Sequence, residues 1–317
     1  MLFRSIAEMG FRGKQGAQAV RSLLPGVIDQ IDEAYANPDS LRGLPTGFAD
    51  FDKMTGGLRP GDLVIVAGRP SMGKTTLAVN MAEYAALHTR EKPASVAIFS
   101  MEMPSEQVIT RMLSSIGGVP LHNLRSGRIS DDDWVRITSA TSQLSEAKIF
   151  IDETPALSPT ELRARARRVK REHGLDLIVV DYLQLMQVPG NKENRATEIA
   201  EISRGLKVLA KELSCPVIAL SQLNRGVEQR ENKKPVMSDL RESGSIEQDA
   251  DMILLIYRPE VYDRENQLIK GMAEIDLVKH RNGEIGEFKL TFQGQFTRFV
   301  NYMPEGYADG VNPGVMR

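Results

Sequence analysis

GRPSMGKTT, residues 68–76, follows the apolar run DLVIVA (62–67) and leads into LAVNMAEYAAL (77–87). Gly68, Gly73, Lys74 and Thr75 satisfy the spacing G-x-x-x-x-G-K-[ST] between a strand pattern and a helix pattern, the context in which such a loop cradles phosphate. Glycines let backbone N–H groups wrap phosphate oxygens, and the helix N-terminus adds partial positive charge. Lys74 neutralises β- and γ-oxygens, and the Thr75 hydroxyl ligates Mg2+. The expected nucleotide contacts run through the loop: Gly68, Arg69, Pro70, Ser71, Met72, Gly73, Lys74, Thr75 and Thr76.

Working outward, the runs LVIVAG, SVAIFSM, KIFID, LDLIVVDYL, CPVIALSQL and ADMILLIY recur with helical stretches between most of them. Near-continuous Val/Ile/Leu runs alternating with helices predict an α/β fold with a mostly parallel central sheet buried on both faces. From residue 272 the pattern changes to apolar–polar alternation around Asn282-Gly283, which predicts a C-terminal antiparallel hairpin followed by a further strand. Ahead of the sheet, SLLPGVIDQIDEAYANP places Leu24, Val27, Ile28, Ile31 and Tyr35 at helical spacing. Ser22 is a candidate cap, Pro25 falls in the first turn, and Asn37-Pro38 ends the helix. Such an amphipathic helix either folds back on its own core or lies on a neighbouring subunit. The expected organisation is a segment 1–44 carrying this helix, a main domain 45–303 and a flexible tail 304–317.

A nucleoside triphosphatase of this kind needs a carboxylate on the metal side at the end of another buried strand, and LDLIVVD supplies Asp181. Hydrolysis needs a base. Glu102 follows SVAIFSM at the end where parallel strands converge on a ligand, and is the candidate; its alternative role is to cap the helix starting near Pro104. Gln222 ends CPVIALSQ in the same way and is a candidate sensor of the γ-phosphate.

The chain has 40 Lys+Arg against 42 Asp+Glu, a formal net charge of −2, so bulk charge does not attract nucleic acid and any such contact must be local. One basic stretch offers it: Arg225, Arg230, Lys233, Lys234 and Arg241 lie just after Gln222, where they either reach a nucleic-acid backbone or form a solvated loop. That stretch has no aromatic residue, so base stacking is not expected. Backbone amides near Ser243-Gly244 offer phosphate contacts that do not read bases, and Lys192 and Arg195 mark a second candidate loop. The single Cys215 excludes an internal disulfide, the four histidines are scattered, and no run approaches membrane-spanning length. A reducing cytoplasm and no membrane association are expected.

GRPSMGKTT, FSMEMPSEQ, DYLQLM, EIAEISRGLKVLAKEL, ALSQLNR, DLRESGSIEQDAD and KHRNG, in this order, resemble the C-terminal motor domain of the DnaB replicative helicases over residues 20 to 300. The resemblance implies a RecA-like fold and a homo-hexameric ring that hydrolyses ATP with Mg2+ at subunit interfaces while moving 5′→3′ on single-stranded DNA. It implies that Arg241, Glu242 and Gly244 line the DNA channel, which the basic stretch with Arg225 would then join. Lys279 and Arg281 would then reach a neighbour's γ-phosphate. Primase and a helicase loader are the implied partners. The family's globular N-terminal domain is missing ahead of the helix, so the sequence reads as a fragment. Three other readings stay open: a filament-forming strand-exchange ATPase, a ring ATPase without a DNA substrate, and a non-catalytic docking module.

Overall fold

The computed structural model describes residues 17, 19–37, 41–88, 93–188 and 194–303, apart from the side chains at 30, 33, 34 and 241–243. The expected tail at 304–317 lies outside the described residues. The chain divides into two units, 1–42 and 43–317. Gly43 and Leu44 go with the second unit because Leu44 forms an antiparallel bridge with Leu58.

The first unit contains α1, Val20–Ala36. Ser22 does not cap it: the helix starts two residues earlier, and the Ser22 hydroxyl donates to the Ala19 carbonyl at 2.7 Å. Pro25 therefore lies inside the helix, beyond the first turn. The stripe Leu24, Val27, Ile28 and Ile31 is exposed.

The second unit opens with α2, Ala49–Thr55, whose Asp52 carboxylate accepts the Thr46 N–H and hydroxyl. The sheet follows. Its parallel strands are β1 (Leu63–Gly68), β2 (Val96–Ser100), β3 (Ile149–Asp152), β4 (Leu177–Asp181), β5 (Val217–Gln222) and β6 (Met252–Tyr257). Antiparallel strands β7 (Met272–His280), β8 (Gly286–Gln293) and β9 (Arg298–Asn301) extend it. The spatial order is β3-β2-β4-β5-β1-β6-β7-β8-β9, so β1 lies mid-sheet with its phosphate loop between the ends of β5 and β6. All six parallel strands coincide with the apolar runs read in the sequence.

Alternate side chains of each strand enter two cores. Val64, Val66, Ile98, Val179, Ile218 and Leu254 face α3 (Lys74–Leu87), α4 (Ser105–Gly117) and the antiparallel extension. Ile65, Ala67, Phe99, Ile178, Val180 and Leu255 face α7 (Pro159–His173) and α8 (Arg195–Leu213). Between α4 and β3 run α5 (Leu121–Ser126) and α6 (Asp131–Glu146); α9 (Gly244–Asp249) precedes β6. Each fully buried aliphatic side chain contributes roughly 1.5–3 kcal/mol. That suffices to keep α3 embedded although it carries a buried carboxyl, Glu83, bonded to Asn80 at 3.0 Å and Ser115 at 2.8 Å.

The β7–β8 hairpin departs from a two-residue Asn-Gly turn. Leu277 pairs with Gly286, so the connection is longer, and neither Asn282 nor Gly283 has positive φ. Gly283 is needed for space instead: a Cβ there would lie 2.3 Å from the His280 ring.

Candidate active site

β1 delivers the chain into the loop at Gly68, and the loop ends at Gly73, whose φ of +95° is a left-handed conformation that L side chains rarely adopt. Space adds a second reason for glycine, because a Cβ at Gly73 would sit 2.8 Å from the ring of Phe299 on β9. No side chain caps α3 and its first turn has no acidic residue, so its leading N–H groups remain open to an anion. The Arg258 guanidinium donates to the Ser71 carbonyl at 3.0 Å and steadies the loop from β6.

A cleft of about 470 Å3 opens over this loop, lined by Pro70, Ser71, Gly73, Lys74, Thr75 and Thr76 and, from other elements, Glu102, Arg111, Arg125, Tyr182, Gln222 and Phe292. The Lys74 ammonium donates to the Arg69 carbonyl at 3.4 Å; burial pulls its pKa down, opposed by the carboxylates of Asp181 and Glu102. The Thr75 hydroxyl donates to Asp181 Oδ2 at 2.8 Å. Burial pushes the Asp181 carboxyl up to about 6, opposed by that hydrogen bond and reinforced by the charge of Glu102. Asp181 Oδ1 is buried with no hydrogen-bond partner among the described residues.

A hydroxyl and a carboxylate 2.8 Å apart, one carboxylate oxygen unpartnered, suit a hard divalent cation that prefers oxygen ligands. Among the described residues no group of three or more His, Cys, Asp or Glu forms a metal cage. The donor set thus fits Mg2+ that takes its remaining ligands from water and substrate phosphates.

Glu102 lies two residues past β2, exposed on the cleft wall. It does not cap α4; the Ser105 N–H is bonded by Glu153 at 2.5 Å. Gln222, at the end of β5, lines both this cleft and a second cavity of about 350 Å3 that includes Gln184, Asn224 and Arg225. Gln184 ties the strand ends together: its Oε1 accepts the Gln222 N–H at 3.2 Å and its Nε2 donates to Ser221 at 3.0 Å.

Several sequence expectations change here. The Arg69 side chain is turned away from the cleft, donating to the Leu223 carbonyl at 2.7 Å and to Glu228 at 2.9 Å, and the Met72 side chain is in the core. Arg230 is paired with Asp239 at 2.7 Å, and Lys234 with Glu274 at 2.9 Å and Glu287 at 2.5 Å, so neither is a free cation. Arg195 is likewise engaged, by Glu198 and by the Gln184 carbonyl at 2.7 Å. Arg225 is exposed with no hydrogen bond or ion pair among the described residues. The side chains of Arg241 and Glu242 and the whole of Lys192 lie outside the described residues; Gly244 opens α9 at φ −53°. Arg111 escaped the sequence reading. It is a lone cation on the partly apolar helix α4, its Nε buried without a hydrogen-bond partner among the described residues, and it feels the charges of Arg125, Asp181 and Glu102.

Lys279 and Arg281 stand elsewhere. β7 pairs antiparallel with β6, so His280 is opposite Met252, at the start of the parallel strands and not at the end carrying the loop. The Arg281 N–H bonds the Asp251 carbonyl and the Asp251 N–H bonds that of Leu63, the first residue of β1. Five residue steps of β1, roughly 16 Å, separate this edge from the phosphate loop of the same chain.

Residues 43–301 match the family described as DnaB-like helicase C terminal domain. The chain is 52% identical over 305 residues to "Replicative DNA helicase DnaB" of Buchnera aphidicola subsp. Acyrthosiphon pisum, covering 95% of this chain and 66% of that protein. It is 52% identical to the protein of the same name from Haemophilus influenzae, covering 94% and 64%, and 46% identical to "Replicative DNA helicase DnaC" of Bacillus subtilis, covering 98% and 68%. The chain thus spans about two thirds of the length of the curated relatives it matches. A solved ATPase domain superposes with a TM-score of 0.85 at 35% identity, covering 91% of this chain and all of the other. A structure titled as a DnaB-like replicative helicase and its interactions with primase gives 0.81 at 34% identity, covering 95% and 71%.

Proposed function

This chain belongs to the DnaB-like helicase C-terminal domain family, and from that premise we propose that it is an ATP-hydrolysing motor that moves 5′→3′ along single-stranded DNA as a ring of six copies. The observation that carries the reading is the split between the two ends of the sheet. The cleft gathers Lys74, Thr75, Glu102, Asp181 and Gln222, while Arg281 occupies the opposite edge of the same chain. A site built this way is completed by a neighbouring copy.

Loop N–H groups and Lys74 bind the β- and γ-phosphates; Thr75 and Asp181 hold Mg2+, which when bound neutralises charge on the phosphate oxygens. Glu102 accepts the proton of the attacking water, Arg111 adds positive charge from the cleft wall, and Gln222 reports the γ-phosphate to the cavity it also lines. Arg281 with Lys279 enters from the adjacent copy and stabilises charge on the transferring group. Arg225, Arg241, Glu242 and the backbone at Gly244 contact the DNA backbone without reading bases. Segment 1–44 carries α1, whose apolar stripe lies on the next copy, and 45–303 is the motor. Primase and a loader are the expected partners in the cytoplasm. Among the described residues no helix is long and apolar enough to cross a membrane.

The test is electron microscopy of the purified chain with a non-hydrolysable ATP analogue and an oligonucleotide, alongside ATP turnover with and without single-stranded DNA. Rings and DNA-stimulated turnover are expected. Open filaments, or turnover indifferent to DNA, would overturn the reading.

A further inference from the structure

Asp251 is almost wholly buried, with hydrogen bonds to one carboxylate oxygen and an ion pair at the other. Its Oδ2 accepts the Leu63 N–H at 2.8 Å and the ammonium of Lys207 from α8, which also donates to the Gly61 carbonyl at 2.8 Å. Its Oδ1 faces the Arg281 guanidinium at 3.3 Å. The same guanidinium donates to the Gln248 carbonyl at 2.7 Å, and Lys279 donates to the Ala250 carbonyl at 2.6 Å. The side chain of Arg281 is nevertheless 46% exposed, so part of its donor fork stays open to the outside.

We propose that Asp251 is the positioning residue of the trans-acting arginine, a seat that holds the Arg281 guanidinium at the subunit edge in the orientation a neighbour's γ-phosphate requires. The proposal rests on the shared-site reading above. An exposed arginine on a hairpin end has many rotamers, and fixing one before the neighbour arrives removes that ordering cost from the reaction. A buried carboxylate suits the task because its own position is set by Leu63 and Lys207 and not by solvent. The carboxylate that orients the arginine also fixes the first residue of β1, whose far end is the chain's own phosphate loop. The arginine offered to one site and the loop of the next therefore share one rigid strand.

The experiment uses mixed assemblies. Arg281→Ala copies keep a complete cleft but offer no arginine; Lys74→Ala copies offer the arginine but have a disabled loop. Mixing them restores phosphate release if the site is shared. The decisive donor is Lys74→Ala with Asp251→Asn, which keeps an oxygen to accept the Leu63 N–H but loses the charge. We expect its rescue to fall about 10- to 100-fold below that of the Lys74→Ala donor, the scale on which misplacing a catalytic group by about an ångström acts. Co-assembly is expected to be equal, and Asp251→Asn alone should bind nucleotide in its own cleft as the parent does. If the unpaired Lys207 unfolds that donor, adding Lys207→Met removes the stranded charge and the same loss of rescue is expected. Equal or greater rescue from the seatless donor at equal co-assembly overturns the proposal. No rescue even from the Lys74→Ala donor instead overturns the shared site, a separate and recognisable outcome.

Discussion

Replacing Glu83 by glutamine should make the stability of the protein less sensitive to pH. Glu83 is 5% exposed, within the helix that begins at Lys74. Its Oε2 accepts from Asn80 and Ser115, while Oε1 is buried without a partner among the described residues. Burial pushes the carboxyl from 4.5 up to about 8. The folded carboxyl therefore holds its proton at neutral pH where the unfolded one has lost it. Its contribution to stability is fully present below pH 4.5 and is lost as pH rises through about 8. The loss proceeds at about 1.4 kcal/mol per pH unit, so the parent gives up about 3 kcal/mol between pH 5 and 7.5. The amide oxygen introduced by Glu83→Gln can still accept from Asn80 and Ser115, so the substitution removes the titration and keeps the bonds. Melts of the nucleotide-free chain at several pH values, with Glu106→Gln as an exposed control, should show the Glu83→Gln variant gaining on the parent by roughly 5 °C over that range. A constant offset across pH, or a variant that loses ground as pH rises, would refute the reasoning.

Lys74→Ala should abolish ATP hydrolysis, whereas Glu102→Gln should leave ATP bound and uncleaved; turnover at the parent rate by Glu102→Gln would send the search for the base elsewhere. Val27→Asp with Ile31→Asp should weaken assembly at fixed concentration in sedimentation, and unchanged assembly with a lowered melting temperature would place α1 on its own domain. Arg225→Ala should lower affinity for mixed-sequence single strands uniformly and flatten its salt dependence, while Arg230→Ala, which breaks the pair with Asp239, should affect the local fold more than affinity. Salt-independent binding by the parent would contradict the first expectation, and an intact fold with lost affinity in Arg230→Ala would contradict the second.

The parallel sheet was legible because its strands are continuous apolar runs, a pattern that burial on both faces demands. The meeting of Thr75 with Asp181 was legible too, since each ends a recognisable local motif. What stayed hidden depends on partners distant in sequence. Nothing near Lys234 announces Glu274 and Glu287, and nothing near Pro104 announces that Glu153 will bond the first turn of α4. Arg69 looked like a phosphate ligand because it sits in the loop, yet Leu223 and Glu228 claim it from the far side of β5. Asn282-Gly283 signalled a hairpin correctly, but glycine serves the His280 ring there and not a tight turn.

Phe299 presses on Gly73, and its N–H bonds Asn80 of α3 at 2.9 Å. The phosphate loop is thus backed by a strand made roughly 220 residues later, a separation that makes its final packing a late event in folding. A ribosome exposes the loop long before it can be supported. During synthesis the motif stays without that support until β9 has been made. Nicking or deleting β9 should therefore erase nucleotide binding while sparing every residue of the motif itself.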